Sequence, residues 1–133
     1  RPYVAVWIER ADNSVASTLA VWYDLKLKNA EGTKWLKDMR QWWRRTGREL
    51  DLPIDGVTSP TRPVGKHTLE FTEGKAPLAA LPAGHYKLVV EAAREVGGRE
   101  LVSIPFTWPA AQATSLQAQG QTELGAITLQ VKP

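Results

Sequence analysis

Cysteine is absent from this chain, and its absence excludes disulfides, zinc–thiolate centres and thiol nucleophiles. Histidine is scarce, with only His67 and His85. Each is predicted to begin a strand, so a two-histidine metal site is conceivable. Two histidines without a fixed local spacing are a weak signal, however, and ordinary surface histidines are favoured. The sequence therefore assigns no metal ligand.

Long apolar runs and a strong charge imbalance are also missing. No run approaches the roughly 20 residues that a membrane-spanning helix needs, so direct membrane insertion is not expected. The net charge is only +3, which is too small to argue for nucleic acid. The chain has no glycine-rich phosphate loop, no GxSxG element and no forced pair of carboxylates. No catalytic residue is assigned, and an enzyme is not the favoured interpretation.

What the chain does have is a strand pattern rich in β-branched and aromatic residues. Its length of 133 residues suits one domain over residues 1–133. Pro105 falls inside one predicted strand and argues for an edge strand or a bulge. Short strands at this spacing predict a mostly β fold, an immunoglobulin-like antiparallel β-sandwich with one inserted amphipathic helix. The strands are predicted at 3–9, 18–23, 67–72, 85–93, 100–108, 115–119 and 125–131.

The helix is predicted over residues 34–45, KWLKDMRQWWRR. Its apolar residues fall on one arc and its charged residues on the other. Thr33 would be the N-cap, and Gly47 suits the C-terminal end. The basic arc could contact an anionic surface or single-stranded nucleic acid, but a solvated outer face is favoured. Four tryptophans are expected mostly inside the protein: Trp7, Trp22, Trp35 and Trp42.

Residues 51–66 are rich in proline and glycine and predict a long loop. Loops of this length without regular structure are uncommon in compact domains and are often functional. Within it, residues 55–61 read DGVTSPT. The residue types alone are typical of a turn.

Several segments together resemble a bacterial family of predicted periplasmic proteins, domain of unknown function 2271. They are VAVWIERADNSVASTLAVWYD, KWLKDMRQWWRRTGRE, DGVTSPTRPVGKHTLEF, PAGHYKLVVEAARE and ELVSIPF. The resemblance covers most of the chain. PAGHYKLVVEA is also similar to a turn and strand of bacterial immunoglobulin-like domains, including that of the flagellar hook-capping protein, which supports the fold only.

The resemblance implies a periplasmic location and specific partners. Members of the family tend to carry a signal peptide, or to occur beside PepSY-type membrane proteins and a periplasmic flavin transferase. That enzyme moves FMN from FAD onto a threonine or serine hydroxyl. Its target motif fits residues 55–61 at six of seven positions, with Pro60 standing where a small alanine is expected.

The residues implied to hold the flavin are Asp55, Thr58, Ser59, the acceptor Thr61, and Arg62, which would pair with the linking phosphate together with nearby Lys66. We therefore expect a non-catalytic periplasmic carrier of covalent FMN in an electron-transfer system, with iron uptake as the setting. The alternative is an unmodified immunoglobulin-like protein-binding module with no cofactor.

Overall fold

The structure is a computed structural model that describes residues 3–22, 39–46, 58–59, 67–75, 77–78, 80–94, 98–122 and 124–133. For residues 58–59 it describes the backbone. The strands and the helix are β1 (Tyr3–Arg10), β2 (Val15–Trp22), α1 (Arg40–Arg45), β3 (Thr58–Ser59), β4 (Gly84–Ala93), β5 (Arg99–Trp108), β6 (Thr114–Gln119) and β7 (Ala126–Val131).

Two sheets contain these strands. The larger has the order β3-β2-β1-β4-β5, and the smaller is the hairpin β6-β7. Neighbours in the larger sheet are antiparallel, except that β3 runs parallel to β2. The fold is therefore mostly β, as predicted.

Strand β1 lies in the middle of the larger sheet and is buried on both faces. Its residues from Tyr3 to Glu9 are all buried, which explains why the sequence YVAVWIE is almost continuously apolar rather than alternating. Successive side chains point to opposite faces of a strand. Val4, Val6 and Ile8 accordingly enter one core, and Tyr3, Ala5 and Trp7 enter the other.

The first core lies between the larger sheet and the β6-β7 hairpin. Hairpin residues Leu116, Leu129 and Val131 pack against buried residues of the larger sheet. Leu69 and Phe71, from the segment that precedes β4, pack against the same core. This face is covered by both the hairpin and that segment.

The second core lies between the larger sheet and α1. Met39 and Trp42 are fully buried against it, and Trp43 packs at its border. A sheet covered on both faces buries a large apolar area. Each Å² of apolar surface removed from water stabilises the fold by about 25 cal/mol.

Most predicted strands are confirmed, and one is wrong. The structure has β1, β2, β4, β5, β6 and β7 within a few residues of the predicted bounds, and Pro105 lies on β5, which is an edge strand. Residues 67–72, however, form no strand. Leu69 and Phe71 are half-buried and their neighbours are exposed, so the alternation reflects packing without strand pairing.

The predicted helix 34–45 needs a correction. Among the described residues, only Arg40–Arg45 are helical, and Met39 has ψ 75°, which is outside the helical range. A continuous helix through Met39 is therefore wrong, and a long inserted amphipathic helix is not supported. Residues 34–38, Thr33 and Gly47 lie outside the described residues.

The prediction that these tryptophans lie mostly inside is confirmed at three positions. Trp7 and Trp42 are fully buried, and Trp22 packs against the first core with part of its surface exposed. Trp35 lies outside the described residues.

The Glu91 carboxylate joins the sheet to the helix. Glu91 is fully buried, and it accepts hydrogen bonds from the backbone N–H groups of Gln41 at 3.0 Å and Trp42 at 2.8 Å. These N–H groups are in the first turn of α1, where no intrahelical acceptor exists and a negative charge is favoured. The guanidinium of Arg99 donates to the same carboxylate at 2.7 Å from both Nε and Nη2.

We predict that Glu91→Gln destabilises the protein by about 1.5–3 kcal/mol, since the fully buried carboxylate loses its charge-assisted hydrogen bonds while the partly exposed Arg99 stays hydrated. The amide would also place donors against the N–H groups of α1. Urea denaturation measures the free energy of unfolding. Glu70→Gln is the matched control, because Glu70 is exposed and such a change is worth about 0.5 kcal/mol or less. Equal stability of the two variants would contradict the role of Glu91.

A second carboxylate fixes the turn of the β6-β7 hairpin. Glu100 of β5 accepts hydrogen bonds from the backbone N–H groups of Gln121, Thr122 and Leu124, the shortest at 2.7 Å. Gly120 begins this turn, and its N–H donates to the Gly125 carbonyl at 2.9 Å. A Cβ at Gly120 would lie 2.1 Å from the Leu124 carbonyl oxygen, whereas a Cβ at Gly125 would meet nothing within 4 Å.

We predict that Gly120→Ala lowers the free energy of unfolding by about 1–3 kcal/mol, because the added methyl must displace backbone. Gly125→Ala is the control in the same turn and should be close to wild type. Thermal denaturation of both variants measures the difference. A Gly120→Ala protein as stable as Gly125→Ala would show that the turn does not have this conformation.

Candidate functional site

The candidate flavin-acceptor loop meets the larger sheet at its β2 side. Thr58 and Ser59 pair in parallel with Val21 and Trp22, so the segment forms the outermost strand, β3. Among the residues implied to hold the flavin, Asp55, Thr61 and Arg62 lie outside the described residues, as do Pro60 and Lys66. Thr61 follows Ser59 by two positions in the sequence.

An aromatic pair lies at this same side of the sheet. Trp22, which is in register with Ser59, contacts His67 edge to face, with ring centroids 5.5 Å apart and planes at 79°. His67 is exposed, and Trp22 is partly exposed. A π-surface is therefore accessible next to the strand that leads to the predicted acceptor.

The two histidines have different neighbours in the structure. His67 contacts Trp22, while the exposed His85 lies with Nδ1 3.2 Å from the Thr107 hydroxyl. No group of three or more metal-ligating side chains occurs among the described residues.

A polar cleft of about 150 Å³ lies on the opposite side of the sheet, between α1 and β5. It is lined by residues of four elements, including Glu9 of β1, Gln41 and Arg45 of α1, Lys87 of β4, and Leu101 and Ser103 of β5. The strand residues among them point to the face that α1 covers. They alternate in step with Trp7 and Val89, whose side chains lie in the second core. Among the described elements, α1 packs on the centre of this face, while Leu101 and Ser103 of β5 stay exposed beside it.

Glu9 is the acidic group of the cleft, and its carboxylate is already engaged. It is buried and accepts a hydrogen bond from Trp7 Nε1 at 3.0 Å. Arg45 Nε lies 3.5 Å from the same oxygen. With its amide oriented to place oxygen toward Arg45, Gln41 accepts from the guanidinium at 2.6 and 3.0 Å.

One end of the cleft is formed by the β1-β2 turn. Asn13 lines the cleft and has a positive φ of 70°, a conformation that asparagine tolerates better than most residues. Asp12 stabilises the turn by accepting hydrogen bonds from the Ser14 hydroxyl at 2.6 Å and the Ser14 N–H at 3.0 Å. These side-chain and backbone hydrogen bonds lower the pKa of Asp12, so their contribution is lost as the pH falls through that lowered value.

Sequence reasoning did not find this cleft. Lys87 and Ser103 belong to strand patterns that look like ordinary alternation, and Arg45 was interpreted as part of a solvated helix face. Leu101 is the signal that could have drawn attention to it, because it is an apolar residue on the strand parity that also holds the polar Ser103 and Thr107. The cleft depends on contacts between residues far apart in sequence.

No helix in the described part of the chain is long and apolar enough to span a membrane. Neither the search of curated proteins nor that of solved structures found a match. A family model described as "Predicted periplasmic protein (DUF2271)" matches residues 1–126. The chain therefore belongs to this family of periplasmic proteins of unknown function.

Proposed function

We propose that this protein is a periplasmic carrier of FMN esterified to Thr61, and that it transfers electrons without being a catalyst itself. The observation that carries the proposal is the match of residues 55–61 to the target motif of a flavin transferase at six of seven positions. Membership of the periplasmic family supports it, because the modification takes place in that compartment.

The attachment would be a phosphoryl transfer performed by the partner transferase. The Thr61 hydroxyl oxygen would form a bond to the phosphorus of the FMN half of FAD, and the phosphoanhydride bond would break. AMP would leave, and the hydroxyl proton would pass to a base of the transferase. Atoms and charge balance without any redox co-reactant.

The position of β3 supports access by a second enzyme. Thr58 and Ser59 lie on an edge of the larger sheet, and loops at such edges are where modifying enzymes can reach a hydroxyl. Arg62, next to the acceptor in sequence, would supply a charge-assisted hydrogen bond to the linking phosphate.

The aromatic pair supports a place for the ring system. Trp22 is in register with Ser59 and contacts exposed His67, so a ring tethered two residues later could pack on them. When bound, the flavin would supply the redox chemistry, while the side chains of this protein orient it and limit its motion. A PepSY-type membrane protein is the proposed electron-transfer partner, with iron uptake as the setting.

The alternative function is an unmodified immunoglobulin-like protein-binding module, and strand order supports its architecture. The order β2-β1-β4-β5, with hairpins at both ends, is similar to the C′-C-F-G order of immunoglobulin-like sheets. Tyr86 near the start of β4 donates a hydrogen bond to the Pro82 carbonyl, in the manner of a tyrosine corner. We propose this arrangement as the finer description of the fold.

Co-expression with a periplasmic flavin transferase tests the flavin proposal. We expect the exported protein to gain the mass of one FMN less one water and to absorb in the flavin bands. Thr61→Val should lose both signals, and Thr61→Ser should keep them because serine retains the hydroxyl. An unmodified wild-type protein, or full modification of Thr61→Val, would overturn the proposal, and the first result would favour the binding module.

Pro60→Ala tests the one departure from the motif. Proline lacks an N–H and restricts the preceding residue, so alanine should fit the transferase better. We expect a severalfold higher flavinylated fraction in a short induction, measured by intact mass. A lower fraction in Pro60→Ala would show that proline favours the modification here.

A further inference from the structure

We propose that the cleft between α1 and β5 binds a carboxylate that carries a short aliphatic side group. Both a free carboxylic acid and the C-terminal residue of a peptide have this chemistry. The proposal does not depend on flavinylation, because none of the residues that line the cleft belongs to β3 or to β2, the strand that β3 pairs with.

The charges in the cleft favour a monoanion. Lys87 lies directly opposite Glu9 in the β1-β4 register, where an ion pair would be expected. The Glu9 carboxylate is instead engaged by Trp7 Nε1 and Arg45. Lys87 makes no hydrogen bond or ion pair with any described residue, so a cation lines the cleft without a counter-charge.

Neutral donors stand beside this cation. The Ser103 hydroxyl and the Asn13 amide both line the cleft, and neither side chain hydrogen bonds to another described residue. A carboxylate accepts up to about four hydrogen bonds, so it can use the ammonium and both neutral groups at once. A metal cation would meet repulsion from Lys87 and Arg45, and the Glu9 charge disfavours a dianion such as phosphate.

Apolar side chains in the cleft account for the aliphatic side group of the proposed ligand. Val89 and Leu101 line the cleft, and Leu101 is the exposed large hydrophobic residue of the described chain, with 37% of its surface accessible. A small aliphatic group seated there would remove this surface from water. The whole cleft has a volume of about 150 Å³, roughly ten times the 10–15 Å³ that one water needs, so it has room for a small ligand.

The experiment is an NMR titration of ¹⁵N-labelled, unmodified protein with three probes: N-acetylvaline, N-acetylvalinamide and the acetylated peptide Ala-Ala-Val with a free carboxylate. The amide matches the first probe in shape and lacks its charge. We expect both acids, and not the amide, to shift the backbone signals of Ser103, Leu101 and Asn13. A peptide that binds more tightly than N-acetylvaline would identify a peptide C-terminus as the source, and the reverse would identify a free acid.

Two variants test whether Lys87 is the cation that binds the carboxylate. Lys87→Gln should weaken binding of N-acetylvaline at least about tenfold, as expected for loss of a charge-assisted hydrogen bond. Arg44→Gln is the matched control, because Arg44 is an exposed cation of α1, next to the cleft-lining Arg45 in sequence, and does not itself line the cleft. It should leave the affinity unchanged. The amide spectra of both variants report whether the fold is retained.

Three results would overturn the proposal. Equal binding of N-acetylvaline and its amide would exclude recognition of the charge. An unchanged affinity in Lys87→Gln, or an equal loss in Arg44→Gln, would exclude the cleft as the place of recognition. No shift of the cleft signals with either acid at tens of millimolar would exclude the site altogether.

Discussion

The buried carboxylate of Glu91 is the interaction on which the helix side of this protein depends. A lone ionised group in a core is costly, and it persists only with a counter-charge and hydrogen bonds that satisfy its oxygens. Arg99 supplies the charge, and the first turn of α1 supplies two N–H groups. The same hydrogen bonds also stabilise α1, because a helix of six residues is too short to form on propensity alone.

The hydrogen bonds from the first turn of α1 to Glu91 fix the position of the helix. The position of α1 in turn determines which part of the sheet it covers. With its first turn held over β4, the helix seats Met39 and Trp42 on the centre of the sheet. No described helix covers the β5 side of that face, and Leu101 and Ser103 remain exposed. The cleft is a consequence of anchoring a short helix at its N-terminus by a residue of the sheet.

Sequence patterns were sufficient where the physics is local. The continuous apolar run of β1 and the Gly84–Ala93 strand could be predicted because strand pairing and burial act on successive residues. The start of α1 could not, because its cap comes from a carboxylate 49 residues away. Nothing in the sequence indicates that Met39 has a non-helical backbone, since the apolar period continues through it.

The error at residues 67–72 has a related cause. Alternating burial of Leu69 and Phe71 is real, but alternation reports which side chains meet a core and not whether the backbone finds a partner strand. The candidate cleft was beyond sequence reasoning for the same reason. Its charges come from β1, β4 and α1, and only the register that places Lys87 opposite Glu9 shows that one cation has no counter-charge.

The two candidate sites lie on different strands of the larger sheet. The cleft is lined by β1, β4 and β5, and the nearest of these, β1, lies two strands from β3, which is roughly 10 Å at about 4.8 Å per strand. Coupling over that distance requires an element with two arrangements that both sites bias. The intervening strand β2 pairs with β1 along its length, and both strands place residues in the two cores, which leaves them little freedom to shift. We therefore expect a ligand in the cleft to leave the environment of the β3 loop unchanged, so that occupancy of one site reports nothing about the other.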